Sequence, residues 1–121
     1  MKIFLVDDEY INNVISTKIL MKIDNTLNIV KFTNPIQAFE EIRNENPDLV
    51  LLDLNMPQFS GWQFLDKMQA ENVSNPVVIL TSSVCKPDSA RAYTYKNVIG
   101  YAEKPLNRDE ISQYLISVSA Q

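Results

Sequence analysis

The sequence predicts an α/β fold, an open and doubly wound parallel sheet of five strands with helices on both faces. Three observations carry this. Short β-rich apolar runs alternate with helical stretches along all 121 residues. The central runs, such as Leu49-Val50-Leu51-Leu52, are apolar at every position, as a parallel strand buried on both faces requires. Prolines fall at the edges of these segments, at Pro47, Pro57, Pro76, Pro87 and Pro105.

The first strand is expected over residues 2–6, and Ile11, Val14, Ile15 and Ile19 outline an apolar helical stripe after it. The second strand spans 27–32. Asn34-Pro35 then supplies an N-cap and a proline at the first helical position, and Ala38, Phe39 and Ile42 form the next stripe. The third strand spans 48–53, followed by a helix carrying Phe64, Leu65 and Met68. The fourth strand, 76–81, leads to the weakest helix, over 87–97, whose stripe is mainly Ala90 and Tyr93. The fifth strand, 98–101, precedes a helix in which Ile111, Tyr114, Leu115 and Val118 follow i, i+3, i+4, i+7 spacing. One domain over residues 1–121 is expected, with no repeats or linkers.

Composition removes several functions. The formal charge is −4 and the pI about 4.7, so no basic face is available to displace counterions from nucleic-acid phosphates. With one cysteine, Cys85, and no histidine, disulfides, thiolate–imidazole metal sites and His-based nucleophilic catalysis are excluded. Cys85 is expected to be an ordinary free thiol. The N-terminal apolar run Ile3-Phe4-Leu5-Val6 ends in acid and is neither a signal peptide nor a membrane span. A cytoplasmic location is the expectation.

In open α/β sheets, ligands bind beyond the carboxyl ends of the strands. Those ends carry Asp7-Asp8, Asp53, Thr81 and Lys104-Pro105. Each has an ordinary reading alone: Asp8 as a helix N-cap, Asp53 as turn punctuation before Asn55-Met56-Pro57, Thr81 as a strand residue, Lys104 as a solvated charge. Together they make one crevice with three acids and one base. Two carboxylates about 4 Å apart repel by roughly 4 kcal/mol at an effective dielectric near 20. An all-oxygen donor set of this kind suits Mg²⁺ or Ca²⁺, and Mg²⁺ commonly shares its shell with phosphate oxygens. Aspartate is a competent phosphoryl acceptor. Asp8 and Asp53 are expected to hold the ion directly and Asp7 through water, while Lys104 and the Thr81 hydroxyl meet phosphoryl oxygens.

The motifs Val6-Asp7-Asp8-Glu9, Leu51-Leu52-Asp53-Leu54-Asn55-Met56-Pro57 with Gly61 following, Leu80-Thr81-Ser82-Ser83 and Tyr101-Ala102-Glu103-Lys104-Pro105 resemble the receiver domains of two-component response regulators. The resemblance covers essentially the whole chain. It implies a flavodoxin-like receiver fold with strand order 2-1-3-4-5, Asp53 as phosphoacceptor, and Mg²⁺ on Asp7, Asp8, Asp53 and the backbone carbonyl of Asn55. It further implies a cis bond between Lys104 and Pro105, and a switch pair, Thr81 and Tyr101, that remodels the face formed by the fourth helix, fifth strand and fifth helix. Ser83 and Asn55 match positions that tune dephosphorylation. The implied partners are a sensor histidine kinase or histidine phosphotransfer protein and a downstream protein target, with neither nucleic acid nor membrane. Phosphorylation-dependent homodimerisation is compatible with this. With no residues after 121, output is expected to leave through protein contacts or along a relay. Tyr93, Tyr95 and Tyr101 are expected near the output face, and Trp62 is expected to be partly packed.

A different class, a small phosphatase resembling haloacid-dehalogenase hydrolases, also combines a nucleophilic aspartate with a hydroxyl, a lysine and an acidic pair. Those enzymes carry a second aspartate two positions after the nucleophile, where this chain has Asn55, and their acidic pair comes last rather than first. A flavin binder would want a glycine- and hydroxyl-rich loop where Asp7-Asp8-Glu9 stands.

Overall fold

The computed structural model describes residues 1–82 and 86–120. The elements run β1 (Lys2–Val6), α1 (Tyr10–Ile23), β2 (Asn28–Phe32), α2 (Pro35–Glu45), β3 (Leu49–Asp53), α3 (Gly61–Ala70), β4 (Val77–Thr81), α4 (Lys86–Ala92), β5 (Val98–Glu103) and α5 (Arg108–Ser119). The five strands form one parallel sheet in the order β2-β1-β3-β4-β5. This is the α/β architecture, and the strand order, that the residue pattern and the family resemblance imply.

Strand alternation divides the interior into two layers. Phe4, Val6, Val50, Leu52, Val77 and Ile79 point to one face, where α2 brings Ala38, Phe39 and Ile42 and α3 brings Phe64, Leu65 and Met68. Ile3, Leu5, Leu49, Leu51, Val78 and Leu80 point to the other, against Leu20 of α1 and Ile111 and Leu115 of α5. Burial on both faces explains why β1, β3 and β4 are uninterrupted apolar runs.

The helix starts follow from their caps. Asn34 Oδ1 accepts from the N–H groups of Ile36 and Gln37, with Pro35 at the first turn of α2. Ser60 and Gln63 form a reciprocal capping box on α3. Asn107 Oδ1 accepts from Glu110 N at α5.

Two helices depart from expectation. In α1, Ile19 packs against the interior, but Ile11 and Ile15 are 59% and 42% exposed, and the buried positions are Asn13 and Leu20. In the fourth helix, the expected stripe of Ala90 and Tyr93 is exposed; the helix ends at Ala92, and Ala92 and Tyr95 enter the core instead. The chain leaves the helix through three-residue turns, Thr94 N to Arg91 O and Tyr95 N to Ala92 O, helped by Thr94 Oγ1 donating to Arg91 O. Strand β5 runs two residues further than expected because Thr81 pairs with Glu103 and Lys104 N bonds Thr81 O. Ser83 and Cys85, singled out above, lie outside the described residues.

Candidate functional site

Four strand ends deliver the site. Beyond β1, Asp7 N extends the ladder to Phe32 O, and Asp7 Oδ1 accepts from Glu9 N at 2.9 Å, which turns the chain into α1. The N-cap of that helix is Glu9, without a side-chain cap bond, so Asp8 is not the cap. Asp53 closes β3 at 4% exposure, and its Oδ1 accepts from Asn55 N at 3.2 Å. Thr81 closes β4 and is buried. Lys104 follows β5, its peptide bond to Pro105 is cis, and its Nζ lies 2.6 Å from Asp7 Oδ2 and 3.4 Å from Asp53 Oδ1.

Carboxylate oxygens of Asp7, Asp8 and Asp53 lie within 4.8 Å of one another. All are hard oxygen donors, two of the three residues are buried, and among the described residues Lys104 is the one ammonium paired with them. This donor set and its uncompensated charge fit a divalent cation of the Mg²⁺ type.

Burial pushes the Asp53 carboxyl above the ordinary aspartate range, and the Asp7 charge adds to this. Lys104 and the Asn55 N–H oppose the rise without cancelling it. For Lys104, burial pulls downward, but the hydrogen bond and charge of Asp7, with the charge of Asp53, outweigh it and leave the ammonium above its usual value. Asp53 is thus a buried acid seeking a counter-charge, beside a lysine that stays protonated.

An open cleft of about 380 Å³ lies over these groups, bounded by Asn12, Ile15, Asp53, Asn55, Ser82, Lys104 and Leu106. A smaller hollow of about 310 Å³ lies on the Asp8 side, between Asn34, Ile36, Met56 and Phe59. Gly61 holds the loop after Asp53 in place: a Cβ there would sit 2.6 Å from Asp53 O and 2.7 Å from Leu54 Cα. The close approach is sealed by Gly61 N donating to Leu54 O.

The structure therefore brings Asp7, Asp8, Asp53 and Lys104 together, with Asn55 at the rim and its N–H turned onto Asp53. Tyr101 is buried in the layer that holds α2 and α3. Of the other aromatics expected at the output face, Tyr93 is exposed, whereas Tyr95 is buried against α3, its hydroxyl on Asp66. Trp62 stacks on Tyr95, and the Arg91 guanidinium lies 4.2 Å over its indole.

Sequence reasoning missed two features. The Trp62–Arg91–Tyr95–Asp66 cluster joins α3 to α4 and the turn beyond it, and long-range side-chain pairing of this kind leaves no local pattern. Asn13 is 2% exposed and donates to Asp7 O and Phe32 O. Its seven-residue spacing from buried Leu20 was the available signal.

The sequence matches the response regulator receiver domain family over residues 3–116. A protein-glutamate methylesterase/protein-glutamine glutaminase of Leptospira interrogans is 33% identical over 86% of this chain and 30% of its own length. The nitrate/nitrite response regulator of Escherichia coli is 29% identical over 98% of this chain and 54% of its own. The chain thus spans about a third to half of these two relatives. Sporulation initiation phosphotransferase F of Bacillus subtilis is 28% identical over 91% of this chain and 86% of its own. Among solved structures, a two-component response regulator from Cytophaga hutchinsonii superposes with a TM-score of 0.91 at 25% identity, over 99% of this chain and 97% of that one. A Vibrio cholerae chemotaxis protein shares the fold, with a TM-score of 0.80 at 20% identity over 97% of both chains.

Proposed function

The chain belongs to the response regulator receiver domain family, and from that premise we propose that Asp53 accepts a phosphoryl group from a phosphohistidine on a partner protein. The observation that carries this is the convergence of the Asp7, Asp8 and Asp53 oxygens within 4.8 Å of one another, with Lys104 Nζ between Asp7 and Asp53.

Asp8, Asp53 and the Asn55 carbonyl are the groups that would hold Mg²⁺, with Asp7 assisting. When bound, the ion supplies positive charge for the phosphoryl oxygens. An Asp53 carboxylate oxygen forms the new P–O bond as the P–N bond to the donor imidazole breaks, and the electron pair returns to that nitrogen. The protonated Lys104 pairs with a phosphoryl oxygen, and the Thr81 hydroxyl donates to another. Positioning and charge neutralisation make up most of the catalysis such a transfer needs. Water later cleaves the acyl phosphate, returning Asp53 and releasing phosphate.

Residues 1–121 act as one receiver unit in this reading, a switch and not a turnover enzyme. The added charge draws Thr81 toward the phosphoryl group, and Tyr101 follows at the face formed by α4, β5 and α5, which then binds a downstream protein. Exposed Ile15 lines the cleft, on the helix that also exposes Tyr10 and Ile11, and this apolar surface favours a protein as phosphodonor. The likeness to a sporulation phosphotransferase, across most of both chains, favours a place in a phosphorelay. Asn55 cannot serve as the general acid that an aspartate-nucleophile phosphatase places two residues after its nucleophile.

Incubation with Mg²⁺ and acetyl phosphate, followed by intact-mass measurement, tests this. One acid-stable, base-labile phosphoryl adduct is expected, absent in Asp53→Asn. No adduct with any donor would overturn the proposal, and sustained turnover of a phosphate ester would favour the phosphatase.

A further inference from the structure

We propose that Asn13 is a positioning residue for the acidic pair, locking the peptide between Asp7 and Asp8 so that both carboxylates face the ion site. The inference rests on the Mg²⁺-binding reading above and assigns a residue outside its ligand set.

Asn13 lies on the first turns of α1, where a solvent-facing polar residue would cost nothing to place. It is instead 2% exposed, on the same helix face as Leu20. Its Nδ2 donates to Asp7 O and to Phe32 O, each at 3.2 Å. Phe32 O also accepts from Asp7 N at 3.1 Å. One side-chain amide therefore ties α1 to the ends of β1 and β2 and brackets the backbone of Asp7 from both sides.

The carbonyl of Asp7 belongs to the peptide that joins it to Asp8. Holding that oxygen fixes the orientation of one peptide plane, and the bond from Glu9 N to Asp7 Oδ1 holds the next, so the Asp8 side chain leaves the backbone between two restrained planes. The Asp7 side chain has separate tethers, Glu9 N on Oδ1 and Lys104 Nζ on Oδ2. Among the described residues no hydrogen bond holds the Asp8 carboxylate, so its aim depends on the restrained backbone that carries it. Groups that orient ligands in this way govern metal affinity without touching the metal.

Asn13→Leu keeps the branched shape and the number of side-chain heavy atoms and removes the donor, and Asn13→Ala removes both. Mg²⁺ titrations followed by calorimetry are expected to show a dissociation constant about tenfold weaker in each variant, the low end of outer-sphere effects on metal affinity. The rise in Tm caused by Mg²⁺ is expected to shrink with it. A purely structural asparagine would lower Tm equally with and without Mg²⁺ and leave the dissociation constant unchanged, and that result overturns the proposal. If neither variant folds, the Asn13 side-chain amide of the wild-type protein decides. Its NMR resonances are expected to shift, and its protons to exchange more slowly, on adding Mg²⁺; resonances that do not respond overturn the proposal. A wild-type protein that fails to bind Mg²⁺ removes the site reading and this proposal with it. Wild-type binding with unaltered variants removes this proposal alone.

Discussion

Lys104 donates a 2.6 Å hydrogen bond to Asp7 Oδ2 across 97 positions of sequence, linking the residues that follow β1 and β5, the first and last strands of the chain. The same ammonium is 3.4 Å from Asp53 Oδ1, the oxygen that also accepts the Asn55 N–H. Asp7 therefore anchors the lysine, and the lysine reaches Asp53 from a fixed position.

Lys104→Met is expected to destabilise the Mg²⁺-free protein by about 3 kcal/mol, the low end for breaking a buried ion pair, because the raised Asp53 carboxyl can take up a proton. Mg²⁺ should bind this variant more tightly than wild type, since a competing cation has gone. Urea denaturation with and without Mg²⁺ measures both effects.

Asp53 sets a pH dependence whose sign follows from its raised pKa. Without Mg²⁺, the folded protein holds the Asp53 proton more tightly than the unfolded chain does. Its contribution to stability is then fully present below the ordinary aspartate value of 3.8 and is lost as pH rises through the raised folded value. Asp53→Asn removes this loss. At neutral pH in chelator, the variant should melt above wild type, and the gap should close as the pH falls through the raised value.

Gly61→Ala drives a methyl group into the backbone at Asp53 and Leu54. A loss of roughly 1–3 kcal/mol is expected from the overpacking. Because the strain falls on the loop after Asp53, Mg²⁺ affinity should weaken as well, which calorimetry would register.

The strands, α2, α3 and the strand-end site were legible because one pattern decided each of them. Leu49 to Leu52 have no polar side to turn outward, and Phe64, Leu65 and Met68 leave α3 a single apolar face. Helix α1 was not legible in this way. Tyr10, Ile11, Val14, Ile15, Ile19, Leu20, Met21 and Ile23 surround it, so periodicity does not choose a face, and the deciding residue, Asn13, carries no hydrophobic weight. The end of α4 depends on Thr94 bonding back to Arg91 and on Tyr95 finding Trp62 and Asp66, contacts that local propensity does not encode.

Arg91→Ala should remove the guanidinium from the Trp62 ring, at a cost of about 0.5–1 kcal/mol for a cation–π contact of this exposure. Trp62 is the one tryptophan in the chain, so a shift in its emission reports the change directly. Unchanged emission and stability would show that the ring and the guanidinium do not interact in solution.

The central claim is that Asp53 itself carries the phosphoryl group. Borohydride reduces an aspartyl phosphate to homoserine, so reduction of the acetyl-phosphate-treated protein followed by peptide sequencing identifies the acceptor. Homoserine is expected at position 53 alone and only when Mg²⁺ is present. Homoserine at Asp7 or Asp8, or at no position in a protein that has taken up phosphate, would contradict the account.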